Sequence, residues 1–152
     1  SKLAGEQAIQ QATDRYTIVR TAWLYGSGGQ NFVDTMLRLG REKTKLNVVN
    51  DQHGSPTYTV DLAVATRTLL EQQSPTGIYH LTNSGYCTWY DFAIEIFRLA
   101  ELPVLVQPCP STEFPRPAKR PTYSKLINTK LTALRPWQQA LAAYLDSSKG
   151  QR

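Results

Sequence analysis

Residues 17–25, Thr-Ile-Val-Arg-Thr-Ala-Trp-Leu-Tyr, form an almost unbroken apolar and β-branched run between Asp14 and Gly26. A strand with one wet face alternates polar and apolar residues, whereas a run of this kind reads as a strand buried on both faces of a parallel sheet. Parallel strands need long crossovers, usually helical. The rest of the sequence must therefore supply helices between short strands.

It does. Leu3–Ala12 reads as a short helix closed by a turn at Thr13-Asp14, and the loop Gly26–Gln30 follows the apolar strand. Asn31–Lys43 reads as a helix with Phe32, Val33, Met36, Leu37 and Leu39 on one face. A strand at Leu46–Asn50, a loop at Asp51–Tyr58, a helix from Thr59 to about Gln72, a turn at Ser74–Gly77 and a strand at Ile78–Thr82 come next. Thr88-Trp-Tyr-Asp91 opens another helix in the manner of a capping box, with Phe92, Ala93, Ile96, Phe97 and Ala100 as its apolar face and Pro103 as its stop. Pro103, Pro108, Pro110, Pro115, Pro117 and Pro121 make residues 103–121 read as a stiff, irregular connection. Pro136 opens a last helix, on which Trp137, Ala140, Leu141, Tyr144 and Leu145 share one face. Alternating helices and strands define an α/β chain.

A chain of 152 residues has the length of one domain. No apolar run approaches the roughly 20 residues that span a bilayer, and no signal peptide precedes the first helix, so a membrane partner is not expected. Cys87 and Cys109 lack metal-site spacing and read as free thiols of a cytoplasmic protein. The net charge is +5, but the densest basic cluster, Arg116 to Arg120, holds three cations; this suits a site for a small anionic molecule at least as well as a DNA-binding face, and no nucleic-acid partner is expected. Neither histidine sits in a triad or zinc pattern: His80 reads as a core histidine in a strand and His53 as a loop residue with no partner in view.

The loop Tyr25-Gly-Ser-Gly-Gly-Gln-Asn31 lies between a strand and a helix, where a dinucleotide fingerprint would sit. Gly26 and Gly28 fit G-x-G-x-x-G, but the third position is Asn31, which cannot give the close helix–strand packing that glycine allows. The loop reads instead as ligand-facing, because sites gather at the carboxyl ends of parallel strands.

Taken in order, SKLAGE (1–6), TIVRTAWLYG (17–26), NF (31–32), NVVNDQHGSPT (47–57), VDLA (60–63), GIYHLTNSG (77–85), TWYDFA (88–93) and RPTYSKL (120–126) resemble the C-terminal part of the dTDP-4-dehydrorhamnose reductase family, within the extended short-chain dehydrogenase/reductases. The resemblance covers essentially the whole chain. It implies the C-terminal part of an NAD(P)-binding Rossmann-like enzyme: residues 1–50 ending the core, and 51–152 forming mainly the substrate-binding part. It implies a reductase that makes dTDP-L-rhamnose from its 4-keto precursor with NADPH or NADH, and a chain that begins inside the catalytic helix. A non-catalytic nucleotide-sugar-binding or regulatory relative is the other reading. The resemblance leaves room for a homodimer and for magnesium, neither of which the residues indicate.

By the same resemblance Lys2 closes a Tyr-x-x-x-Lys motif, serving both catalysis and cofactor binding. Its ammonium would lower the pKa of a tyrosine four residues earlier, on the same helix face. Trp23 would face the sugar nucleotide, where a flat apolar ring with one N–H suits a deoxy-sugar. Asn31 is a good helix N-cap and, by resemblance, a substrate contact. Gln52, Pro56 and Thr57 would lie beside the substrate, and the Arg120 fork would bind the diphosphate.

Overall fold

The computed structural model describes residues 1–118 and 120–149, with backbone alone at 148 and 149; Lys119, within the basic cluster, lies outside the described residues. The chain runs α1 (Lys2–Ala12), β1 (Thr17–Arg20), β2 (Leu24–Tyr25), α2 (Phe32–Glu42), β3 (Lys45–Val49), β4 (His53–Gly54), β5 (Thr57–Tyr58), α3 (Thr59–Glu71), β6 (Gly77–His80), β7 (Cys87–Thr88), α4 (Trp89–Leu99), β8 (Leu105–Cys109), a 3₁₀ turn (Ser111–Glu113) and α5 (Trp137–Lys149). β1 pairs with β6, β2 with β5 and β3 with β8, all parallel; β4 and β7 are antiparallel. The expected α/β alternation with parallel pairing is present. No helix among the described residues is long and apolar enough to cross a membrane.

Local chemistry places the helices as expected. Asn31 Oδ1 accepts from Asp34 N–H at 3.0 Å and starts α2. At α4 Thr88 Oγ1 accepts from Asp91 N–H at 3.0 Å, while Asp91 Oδ2 accepts from Thr88 N–H at 2.9 Å, a complete capping box. The apolar faces of α2, α4 and α5 meet: Val33, Met36 and Leu37 pack with Phe92, Ala93, Ile96 and Phe97 and with Trp137, Ala140, Leu141, Tyr144 and Leu145. Tyr25 and Tyr58 of the β2–β5 pair complete this core.

Several elements differ from the sequence reading. The run 17–25 is two strands, interrupted at Trp23, whose φ of 46° is left-handed. Within this chain Ile18 and Tyr25 are its buried residues, and Leu24 is exposed. The loop 51–58 holds the two short strands β4 and β5. Pro103 does not stop α4. Leu102 N–H donates to Phe97 O and Glu101 N–H to Arg98 O, with Glu101 at φ 54°, so a Schellman turn ends the helix first.

Within 103–121, residues 105–109 form β8 in register with β3 from Lys45↔Leu105 to Val49↔Cys109. Leu105 N–H donates to Thr44 O and Cys109 O accepts from Asn50 N–H. Odd-numbered residues of β8 thus face β3, and Pro108, which has no N–H to give, faces the open edge where none is needed.

Candidate functional site

The site grows from the break after β1. Trp23 turns the chain out of the strand in a conformation that bulky residues adopt at a cost of about 1–3 kcal/mol. Its surroundings hold it there. The Trp23 carbonyl accepts from Thr57 N–H at 3.1 Å, tying the break to β5. Its indole stacks on Trp89 with ring centroids 3.5 Å apart and planes 8° apart, and Phe32 packs on Trp89 at 4.6 Å. Gly54 passes against the same indole, so closely that a Cβ there would clash with it at 2.2 Å. Three segments remote in sequence thereby build one aromatic wall.

The loop before β5 is anchored at both ends. Asp51 Oδ2 accepts from both the N–H and the hydroxyl of Ser111, each at 2.9 Å, and these bonds hold its carboxyl below the ordinary range. His53 N–H donates to Thr122 O at 2.7 Å, Ser124 N–H donates to His53 O at 2.8 Å, and the imidazole stacks on Tyr123 at 4.8 Å. This parallel bridge lays the segment holding Arg120 beside the loop holding Gln52. His53, read as partnerless, is thus a backbone and stacking anchor.

Of the residues picked from sequence, Trp23 lies at the break against Gly54, Gln52 directly precedes His53, and Arg120 lies two residues before Thr122, the residue His53 N–H bonds. Gln52 is half-buried and Arg120 exposed. Asn31 opens the helix that carries Phe32 into the wall; its amide nitrogen donates to Gly26 O at 3.1 Å and to Asp34 Oδ2 at 2.6 Å. Pro56 and Thr57 turn inward. Thr57 has no exposed surface and its hydroxyl donates to Ser55 O at 3.2 Å, so it holds the loop from within where a ligand contact was expected.

Lys2 stands apart, exposed at the start of α1. That helix is joined to β1 through Glu6, whose carboxylate accepts from Arg20 Nε at 2.9 Å and Nη2 at 2.5 Å. The Arg20 guanidinium holds the Glu6 carboxyl low. His80, beside Arg20 in register, is half-buried with Nδ1 3.0 Å from Ile127 O. Both cysteines are free and buried, and burial pushes their thiols up.

Sequence reasoning missed Trp89, Gly54, Tyr123 and the Asp51–Ser111 clasp. Trp89 offered a faint signal as an aromatic at the first helical position of a capping box. Gly54 offered one as the glycine of a loop otherwise rich in side chains. Among the described residues no three His, Cys, Asp or Glu side chains converge as metal ligands. What this geometry offers is a packed pair of half-buried indoles at the break after β1 and an exposed Arg120 on the segment bridged to the 51–58 loop; indole edges can meet a sugar and an arginine fork an anion.

Comparison with known proteins identifies the family. The sequence model of the RmlD substrate binding domain matches residues 1–149. The dTDP-4-dehydrorhamnose reductase of Streptomyces griseus is 46% identical over 152 residues, covering 93% of this chain and 50% of that protein. The crystal structure of a dTDP-4-dehydrorhamnose reductase from Clostridium acetobutylicum superposes with a TM-score of 0.92 at 48% identity, covering 97% of this chain and 54% of that one. A dTDP-4-dehydrorhamnose reductase from Bacillus anthracis, solved in complex with NADP, gives a TM-score of 0.90 at 40% identity over 97% of this chain and 53% of that one. The chain spans about half the length of the relatives it matches.

Proposed function

The chain belongs to the RmlD substrate-binding domain family, and on that premise we propose that it is the sugar-nucleotide-binding half of an NAD(P)H-dependent reductase. Its substrate is a dTDP-4-keto-6-deoxy sugar, its product dTDP-L-rhamnose, and its setting the cytoplasm. The observation that carries this reading is the Trp23–Trp89 wall closed by Gly54, with Arg120 on the adjoining segment.

The residues divide by task. Trp23 presents its free edge to the sugar, Gln52 meets its hydroxyls, and Arg120 forks onto the diphosphate. Asn31 and Thr57 keep α2 and the loop in place. Residues 1–50 end the Rossmann-like core, joined there by β6 through its pairing with β1, and most of residues 51–152 shape the substrate side.

The fit to a nicotinamide cofactor is confined to one end of the chain. The loop Gly26–Asn31 makes no dinucleotide cradle: Gly26 lies hard against Thr59 and Asn31 caps α2. Lys2 is the residue that fits, exposed on a helix face. The cofactor, when bound, supplies the hydride. Lys2 orients its ribose and, by its charge, lowers the pKa of the tyrosine that the resemblance places four residues earlier. That phenol gives its proton to the ketone oxygen.

The test is steady-state kinetics of the full-length protein. Trp23→Ala and Arg120→Ala should each raise KM for the sugar nucleotide about fivefold, the loss of ~1 kcal/mol of edge contact or an ionic fork, and leave cofactor affinity unchanged. Residues 1–152 alone should give no turnover with either cofactor. Wild-type KM in both variants, with only thermal stability reduced, overturns the reading.

A further inference from the structure

Lys2 and Glu6 stand four residues apart on α1, so their side chains share a helix face. α1 leads into β1 through residues 13–16. Among the described residues its side-chain ties are Gln10 Nε2 to Tyr16 OH at 3.1 Å, near the far end, and the two-pronged Glu6–Arg20 pair one turn from Lys2. Arg20 ends β1, three residues before Trp23. One ion pair therefore connects the helix bearing Lys2 to the strand that delivers the aromatic wall.

We infer that Glu6 and Arg20 are a positioning pair for Lys2: the bidentate grip fixes the rotation of α1 on β1, and it withholds the Glu6 carboxylate from the Lys2 ammonium. This rests on the reading of Lys2 as the partner of an upstream tyrosine. A carboxylate four residues from a lysine on a helix pairs with it when nothing else claims it. Such pairing would cancel the positive charge that lowers the phenol pKa. Arg20 claims it with a planar fork that lysine cannot reproduce. Among the described residues, the other charged or titratable groups facing the pair are His80 on β6 and Lys125 and Lys130 on the segment that closes a groove of about 510 Å³ against Arg20. None brings a second carboxylate, so Glu6 is the group whose release would reach Lys2.

The two partners are therefore not equivalent. Removing Arg20 frees the helix and releases the carboxylate; removing the Glu6 charge frees the helix alone. The test uses the full-length protein with Arg20→Ala, Arg20→Lys, Glu6→Gln, the double variant Glu6→Gln/Arg20→Ala, and Lys2→Met as control. Arg20→Ala should lower kcat about tenfold or more, with KM for the sugar nucleotide changed less than about twofold. The basic limb of its kcat profile should move to higher pH, because the tyrosine acid then ionises later. Glu6→Gln should cost less, Arg20→Lys should fall between wild type and Arg20→Ala, and the double variant should recover activity and limb relative to Arg20→Ala. A basic limb that stays in place in Arg20→Ala, or a double variant no better than Arg20→Ala, overturns the inference. Should Arg20→Ala not fold, Arg20→Lys and Glu6→Gln carry the same comparison. Full activity in Lys2→Met would overturn the reading of Lys2 itself; an inactive Lys2→Met with an unmoved limb in Arg20→Ala overturns this inference alone.

Discussion

Trp23 and Trp89 lie face to face, ring centroids 3.5 Å apart and planes 8° from parallel, one at a break between two strands and the other at the first turn of α4. The stack holds a left-handed tryptophan in place and joins the parallel pairing of β2 and β5 to the helical core. The packing at this break therefore depends on both rings.

The two indoles should be energetically coupled. Trp23→Ala, Trp89→Ala and the double variant, compared by denaturant unfolding, should give a coupling of about 0.5–1.5 kcal/mol. Trp89→Ala should also raise KM for the sugar nucleotide in the full-length protein, because Trp23 loses its backing. Additive unfolding energies with unchanged KM would remove the stack from the site.

Gly54→Ala should destabilise by about 1–3 kcal/mol, since the new methyl would lie 2.2 Å from the nearest Trp23 ring atom and one of the two must move. Thermal unfolding and indole fluorescence report it together. A small shift in midpoint with altered tryptophan emission would mean that the ring swings away cheaply; an unchanged midpoint and spectrum would contradict the packing described.

Thr88→Ala removes half of the capping box of α4 and should cost about 1 kcal/mol, with Thr88→Ser restoring most of it. Because α4 contributes Phe92, Ala93, Ile96 and Phe97 to the core, the loss should appear as a drop in the global unfolding midpoint. Fraying confined to one helix, seen by hydrogen exchange, would argue against that coupling.

Asp51 sets a pH dependence with a definite sign. Its carboxyl is held below the ordinary range by the Ser111 bonds, so the folded state favours the ionised form. The stability it adds is present above the unfolded-state pKa of about 4 and disappears as pH falls through the lower folded value. Midpoints measured from neutral to strongly acidic pH should fall less steeply for Asp51→Asn than for wild type. Parallel curves would mean that the clasp to Ser111 adds nothing to the fold.

The sequence by itself determined the helices. The Asn31 cap, the Thr88–Asp91 box and the apolar face from Trp137 to Leu145 are written within one or two helical turns, where 3.6-residue periodicity and short-range hydrogen bonds act. It also supplied Trp23, Gln52 and Arg120 as residues to watch. Tertiary structure decided how they meet. The left-handed turn at Trp23 exists because Trp89, Gly54 and Thr57 close on it; β8 forms in a proline-rich stretch because β3 offers a register that leaves Pro108 on the open edge; the segment carrying Arg120 lies beside the 51–58 loop because His53 pairs with Thr122 and Ser124. The reason is the range of the forces involved. Helix caps and amphipathic faces are contacts between near neighbours, whereas strand pairing and ring stacking join residues tens of positions apart and leave no periodic trace in the chain.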